Sequence, residues 1–279
     1  MLENTFIHLP SIGPCRERWL WDHGCLDWHR FLAALEAGEL GHGTFETVSP
    51  FVRQSVEALA AGDTSFFSAR LPGRETWRLY PNFVEQALFL DIETTGLSAH
   101  YDDVTLIGAL GGGELALFVK GINLDAFPAY IARFPFLVTF NGSQFDVPFL
   151  RVHFPQAQLD QAHFDLRFAL ASLGYRGGLK AVERSLGVSR DPEIQGVDGF
   201  EAVRLWYRYQ QGDQAALRKL ALYNLTDVVN LVGLAQIAVG QKMRRVGFPG
   251  ANASVESRIA IPFDVEYLDS WLAQYLVQD

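Results

Sequence analysis

The chain has 279 residues, 49% of them hydrophobic and 20% charged, a balance that excludes a disordered chain and fits a globular protein. A net charge of −9 and a pI of about 5.3 exclude a protein that coats nucleic acid through a broad basic surface, but not an enzyme that grips one strand end in a narrow, cation-balanced site. Cys15 and Cys25 complete no zinc site, the opening MLENTFIHLP lacks the basic start and apolar core of a signal peptide, and no run reaches the ~18 apolar residues that cross a membrane; a reduced, cytoplasmic protein with no membrane association is expected.

Residues 1 to about 80 read as mostly helical. Trp19, Leu20, Trp28, Phe31, Leu32 and Leu35 fall near helical spacing, as do Val52, Val56 and Leu59. Gly38, Gly41 and Gly43 separate the two halves. Within this stretch, LPSIGPCRERWLW followed by HGCLDWHRFL resembles a degenerate helix-hairpin-helix with Ser11 in place of the first glycine. That reading predicts backbone contact with a DNA phosphate; a plain structural helical pair is the alternative.

The pattern changes at Ala87. ALFLDIE reads as a buried strand ending in acids, and VTLIGAL and ELALFV follow it, joined by a Gly111-Gly112-Gly113 hairpin turn. LDAFPAYIARF predicts a short helix, FLVTF a fourth strand, and PFLRVHF a helix just past Asp146. DLRFALASL, LKAVERSL, FEAVRLWYRY and a long stretch from about 213 to 239 predict further helices. Strands first, then helices interleaved with strands, indicate an α/β domain with a mixed sheet. The expected organisation is a helical extension over 1–84, the α/β domain over 85–240 and a C-terminal tail over 241–279.

Three constellations carry chemistry. Asp91 and Glu93 stand two apart on a strand, so both carboxylates face one side. Burying two anions together calls for protons or a hard divalent cation, although an exposed strand end explains the pair equally well. Thr94, Thr95, Gly96 and Leu97 follow, with Gly96 allowing a tight turn. The second constellation runs Asn141-Gly142-Ser143-Gln144-Phe145-Asp146 between a strand and an apolar helix, where Asp146 has a plain alternative as a helix cap. The third sets Tyr223 and Asp227 on one face of a helix that is otherwise apolar at Leu220, Leu222, Leu225, Val228 and Leu231.

The strand-borne Asp-x-Glu, the central Asn-x-x-x-Phe-Asp and the helical Tyr-x-x-x-Asp together resemble the three motifs of the DEDD superfamily of proofreading-type 3′→5′ exonucleases, which share the ribonuclease-H fold. The wording DIETTGLS, TFNGSQFDVPFL and YNLTDVVNL is similar to that of the bacterial predicted ribonuclease-H-like exonuclease group, over about residues 87–240. The resemblance implies a ribonuclease H-like mixed sheet flanked by helices. It implies that Asp91, Glu93, Asp146 and Asp227 ligate two divalent cations, Mg²⁺ or Mn²⁺, and that Tyr223 positions the attacking water. The sister subtype has a histidine where this chain has Leu222, so the resemblance is to the tyrosine subtype, DEDDy. Thr94, Thr95, Gly96 and Leu97 would hold the terminal nucleotide, and Asn141 would fix the second motif.

Weaker candidates remain open. Lys180 meets a phosphate near a helix start, or is a surface lysine. Asp165 touches substrate or caps a helix. Arg151, Arg167, Arg176, Lys180, Arg184 and Arg190 face only Asp160, Asp165 and Glu183 over 151–190, as a substrate-facing stretch or as a solvated surface. Trp206, Tyr207 and Tyr209 stack bases or belong to a core. His153 and His163 lack metal-ligand spacing. The expected activity is a 3′→5′ exonuclease on the 3′ end of single-stranded nucleic acid, DNA before RNA. An endonuclease on the same carboxylates and a non-catalytic binding protein are the alternatives.

Overall fold

The computed structural model describes residues 1–40, 43–188, 190, 194, 196–248, 267 and 270–273. They form two compact units, Met1–Val84 with Val239–Glu256, and Glu85–Ala238 with Ser257–Asp279. Most of the segment expected as a tail lies outside the described residues, and so does Gly41.

The first unit is helical: α1 (Pro14–Asp22), α2 (Trp28–Glu36), α3 (Thr44–Ala60), α4 (Thr64–Ser68) and α5 (Tyr80–Phe83). Asp27 caps α2 by accepting from Arg30 N, and Asp63 caps α4 by accepting from Phe66 N. Trp28, Phe31, Phe67, Trp77 and Phe83 fill its core. Glu17 and Arg78 are buried there as an ion pair with Nη2–Oε2 2.9 Å, and Glu17 Oε1 also accepts from Phe6 N at 2.7 Å. Ser11, at the turn of the helix-hairpin-helix resemblance, takes a left-handed φ of 63°; one 3₁₀ turn, Leu2–Asn4, precedes it, and α1 and α2 follow it as a helical pair.

The second unit holds a five-stranded mixed sheet in the order β3-β2-β1-β4-β5, from β1 (Ala87–Thr94), β2 (Val104–Gly111), β3 (Glu114–Val119), β4 (Phe136–Thr139) and β5 (Ala162–Asp165). β1 is antiparallel to β2 and parallel to β4, and β4 is parallel to β5. β5 was not expected: four residues with His163 and Asp165 at alternate positions carry too little apolar pattern. Gly112 and Gly113, with φ 62° and 81°, close the β2–β3 hairpin in the doubly left-handed turn that suits strand twist.

Helices flank this sheet: α6 (Phe127–Ile131), α7 (Asp146–His153), α8 (Leu166–Ser172), α9 (Leu179–Leu186), α10 (Gly199–Gln210) and α11 (Gln214–Val246). On one face Leu88, Leu90 and Ile92 of β1 pack with Phe127, Ile131, Phe149 and Leu150. Alternation turns Phe89, Asp91 and Glu93 to the other face, toward α11. That helix is by length and composition long and apolar enough to cross a membrane, which corrects the expectation that no run is. Its apolar window is 78% buried within the protein, as in a core helix.

Candidate active site

Each carboxylate of the three motifs reaches one cavity by a different route. Asp91 and Glu93 come from the end of β1, Asp146 from the first turn of α7, and Asp227 from α11. With Thr94, Thr95, Gly96, Leu97, Asn141, Phe145, Phe200 and Tyr223 they line a cavity of about 600 Å³. Asp146 is not the helix cap of the alternative reading. Phe145 holds that position, and Asp146 is buried one residue inside the helix.

Burial of so many anions is costly. Burial first, then the charges of Asp227, Asp146 and Glu93, pushes Asp91 well above the usual carboxylate range. Glu93 is pushed up to about 8 by burial and by Asp227, and Asp146 to about 7, chiefly by burial. Asp227 rises to about 6, where burial outweighs the pull of Arg190. Burial and the charges of Asp227, Glu93 and Asp91 raise the Tyr223 phenol, so it stays protonated at neutral pH.

The turn carrying Asn141 is built by residues outside its own motif. Asn141 has φ 70°, and Asp165, at the end of β5, accepts from Asn141 N at 2.8 Å, Ser143 N at 3.1 Å and Ser143 Oγ at 2.6 Å. Asp165 also caps α8 through Arg167 N, so the cap reading of this residue holds. Arg167 Nη1 donates to Asn141 Oδ1 at 2.5 Å. A Cβ on Gly142 would overlap the Thr139 side chain, so only glycine fits there. His163 Nε2 lies 2.8 Å from the Thr139 hydroxyl and His153 Nε2 2.9 Å from Asp102 O, both structural contacts.

The loop after β1 is similarly tied. Gly96 serves by lacking a side chain: a Cβ would stand 2.5 Å from the Asp102 carboxylate, which accepts from Ser98 N at 2.9 Å. Leu97 is 87% exposed and Phe200, at the start of α10, is 68% exposed, an apolar pair on the cavity wall. Phe200 was missed because an exposed aromatic in an amphipathic helix has no signature of its own. Trp206 is core and packs on Tyr209 at 5.4 Å, while Tyr207 is exposed.

Four further residues lie behind or beside the carboxylates. Asn224 on α11 donates Nδ2 to Asp91 Oδ2 at 2.8 Å. Gly108 of β2 stands opposite Asp91, and its bare backbone leaves the space that the Asn224 amide fills. Arg190 contacts Asp227 and pairs with buried Glu183. Lys180 lines a neighbouring cavity of about 450 Å³ with Arg184 and Arg190; its Nζ meets Val197 O and lies 4.6 Å from the Tyr223 ring centroid. Of the basic stretch, Arg151, Arg167, Lys180 and Arg190 thus engage protein groups.

Among the described residues, no three His, Cys, Asp or Glu side chains are already drawn into a coordination cluster. The donor set still fits a hard divalent cation. It is all oxygen, and Asp227 Oδ1 is buried without an aligned hydrogen-bond donor.

Residues 88–239, just over half of the chain, match the family model of the RNase_H superfamily. The chain belongs to the RNase_H superfamily. Among solved structures, this superfamily member is similar to the family B DNA polymerase from the hyperthermophilic archaeon Pyrobaculum calidifontis. The TM-score is 0.44 and the identity 18%, over 57% of this chain and 24% of that one. The chain therefore spans about a quarter of the polymerase's length. No curated protein matches the sequence. Membership of the RNase_H superfamily supports a nuclease, a hydrolase acting on nucleic acid with the help of divalent metal ions.

Proposed function

We propose that this chain is a metal-dependent 3′→5′ exonuclease of the tyrosine DEDD type, acting on the 3′ end of single-stranded nucleic acid, with DNA preferred to RNA. One observation carries the reading. Asp91, Glu93, Asp146, Asp227 and Tyr223, drawn from three separated motifs, line one cavity. Their shared burial leaves a negative charge that only protons or cations balance.

In this reading Asp91, Glu93, Asp146 and Asp227 hold two cations, Mg²⁺ or Mn²⁺. When bound, such ions lower the pKa of water and stabilise the attacking and leaving oxygens of an in-line displacement. The water oxygen bonds to the terminal phosphorus and gives up a proton to solvent, the bond to the preceding 3′ oxygen breaks, and that oxygen takes a proton from solvent. A nucleoside 5′-monophosphate leaves. Tyr223, protonated at neutral pH, orients the water by hydrogen bonding and does not take its proton. Asn224 holds Asp91, and Asp165 with Arg167 holds the Asn141 turn. Leu97 and Phe200 offer apolar surface to the terminal bases, and the tied Thr94–Leu97 backbone approaches the nucleotide. Lys180 contributes a cation beside Tyr223. A cytoplasmic location fits this activity.

The test is Mn²⁺-dependent digestion of 5′-labelled single-stranded DNA and RNA, with Asp91→Ala alongside. The expected result is a ladder that shortens from the 3′ end and is absent in the variant. Cleavage of a circular single strand would replace this reading with an endonuclease. No cleavage of any strand by folded protein would replace it with a binding role.

A further inference from the structure

Asp227 does not meet the cavity alone. Arg190 forms a double hydrogen bond with Glu183 of α9, Nε to Oε2 at 2.6 Å and Nη2 to Oε1 at 2.9 Å. The same Nη2 is ion-paired with Asp227 Oδ1. Asn230, one turn beyond Asp227 on α11, donates Nδ2 to Glu183 Oε1 at 2.8 Å. The four side chains close a ring, Asp227–Arg190–Glu183–Asn230, that begins and ends on one helix. Side-chain exposure is 6% at Asp227, 10% at Arg190 and 1% at Glu183, so the three charged groups are largely shielded from solvent.

We infer that Arg190 competes with a divalent cation for the Asp227 carboxylate, and that Glu183, by sharing the guanidinium, sets how strongly it competes. The inference rests on the proposed role of Asp227 as a metal ligand. A fixed guanidinium on one carboxylate oxygen repels a second cation at that carboxylate, most strongly where water is excluded. Glu183 takes the better-aligned bonds. The Asp227 contact is close without being aligned as a hydrogen bond, and among the described residues Arg190 Nη1 meets no hydrogen-bond partner. The guanidinium is thus shared between two carboxylates: Asp227 is the strongest charge acting on it, and Glu183 holds it through the aligned pair of hydrogen bonds. Those two bonds let Asp227 be released to a cation while Arg190 remains paired. Arg190 is a positioning residue: it acts through Asp227 and sets the cation concentration at which the site fills.

The test is Mn²⁺ alone, titrated into the full-length protein, with free Mn²⁺ followed by electron paramagnetic resonance. Arg190→Gln is expected to bind Mn²⁺ about tenfold more tightly than the parent, because the competing charge is gone. Glu183→Gln is expected to bind it about tenfold more weakly, because the guanidinium falls wholly to Asp227. Arg190→Lys keeps the charge without the double bond and is expected to bind no more tightly than the parent. Opposite signs for the first two variants are the signature. A merely structural ring would weaken Mn²⁺ binding in both and lower both melting temperatures, and that result overturns the inference while leaving the metal site intact. If Asp91→Ala binds Mn²⁺ as the parent does, the metal-site reading fails and the inference with it.

Discussion

Gly108→Ala probes the site from behind. Gly108 lies in β2 opposite Asp91 with no positive φ, so alanine there would ordinarily stabilise the chain by about 0.4–1 kcal/mol through the unfolded state. The packing decides otherwise. The new Cβ would overlap Asn224 Oδ1, stand 3.1 Å from Asn224 Cγ and 3.3 Å from Val228 Cγ2. Asn224 is fully buried and cannot withdraw to solvent. Rotating the amide breaks its 2.8 Å bond to Asp91 and leaves buried polar atoms unsatisfied, at about 1–3 kcal/mol. Moving β2 away from α11 costs about 1–3 kcal/mol of overpacking. By either route the net loss is about 1–2 kcal/mol after the backbone gain. The assay is a double-mutant cycle with Asn224→Ala, by chemical denaturation. With Asn224 shortened the clash is relieved, and Gly108→Ala becomes neutral or stabilising. An equal loss in both backgrounds would refute the notch between Gly108 and Asn224.

Three other outcomes follow from the geometry. Glu93, Asp146 and Asp227 keep their protons to about 8, 7 and 6 in the fold, above their unfolded values, so their contribution is full below about pH 4 and is lost as pH rises through 6–8. Each such proton gives a slope of about 1.4 kcal/mol per pH unit, seen in melts in chelator, and Mn²⁺ should flatten it; stability that rises over pH 5–8 in chelator would refute the burial argument. Glu17→Ala leaves the buried Arg78 with Glu75 as its remaining carboxylate partner and takes the acceptor from two backbone N–H groups, and should cost about 1–3 kcal/mol in denaturation of the helical unit. Tyr223→Phe should keep far more nuclease activity than Asp91→Ala, because a protonated phenol only orients water; equal loss in single-turnover assays would make the tyrosine a proton acceptor.

The sheet and the carboxylates were legible because local pattern carries them. Apolar alternation ending in Asp91 and Glu93 marks a central strand, and i, i+4 spacing puts Tyr223 and Asp227 on one helical face. What supports them was not legible, because it depends on partners far apart in the chain. Asn224 meets Asp91 across 133 residues, and Asp165 reaches Asn141 across 24 from a strand too short to announce itself. Gly108 looked like any strand glycine until its opposite helix was in place. Arg190 was read with a basic stretch, and only the fold turns it inward onto two carboxylates. At the N-terminus, apolar spacing marks the helices α1 and α2, while the left-handed backbone of Ser11 before them is visible only in the fold.

The four crowded carboxylates also bear on how the protein would respond to laboratory evolution. Asparagine or glutamine at Asp91, Glu93, Asp146 or Asp227 removes a buried acid that the fold alone balances poorly, so such substitutions are expected to raise thermal resistance while removing the groups that the proposed chemistry would use. A library sorted in chelator by heat tolerance would fill with inactive members. The same library sorted in Mn²⁺ would retain the acids, because ligand binding then favours the folded chains that still carry them.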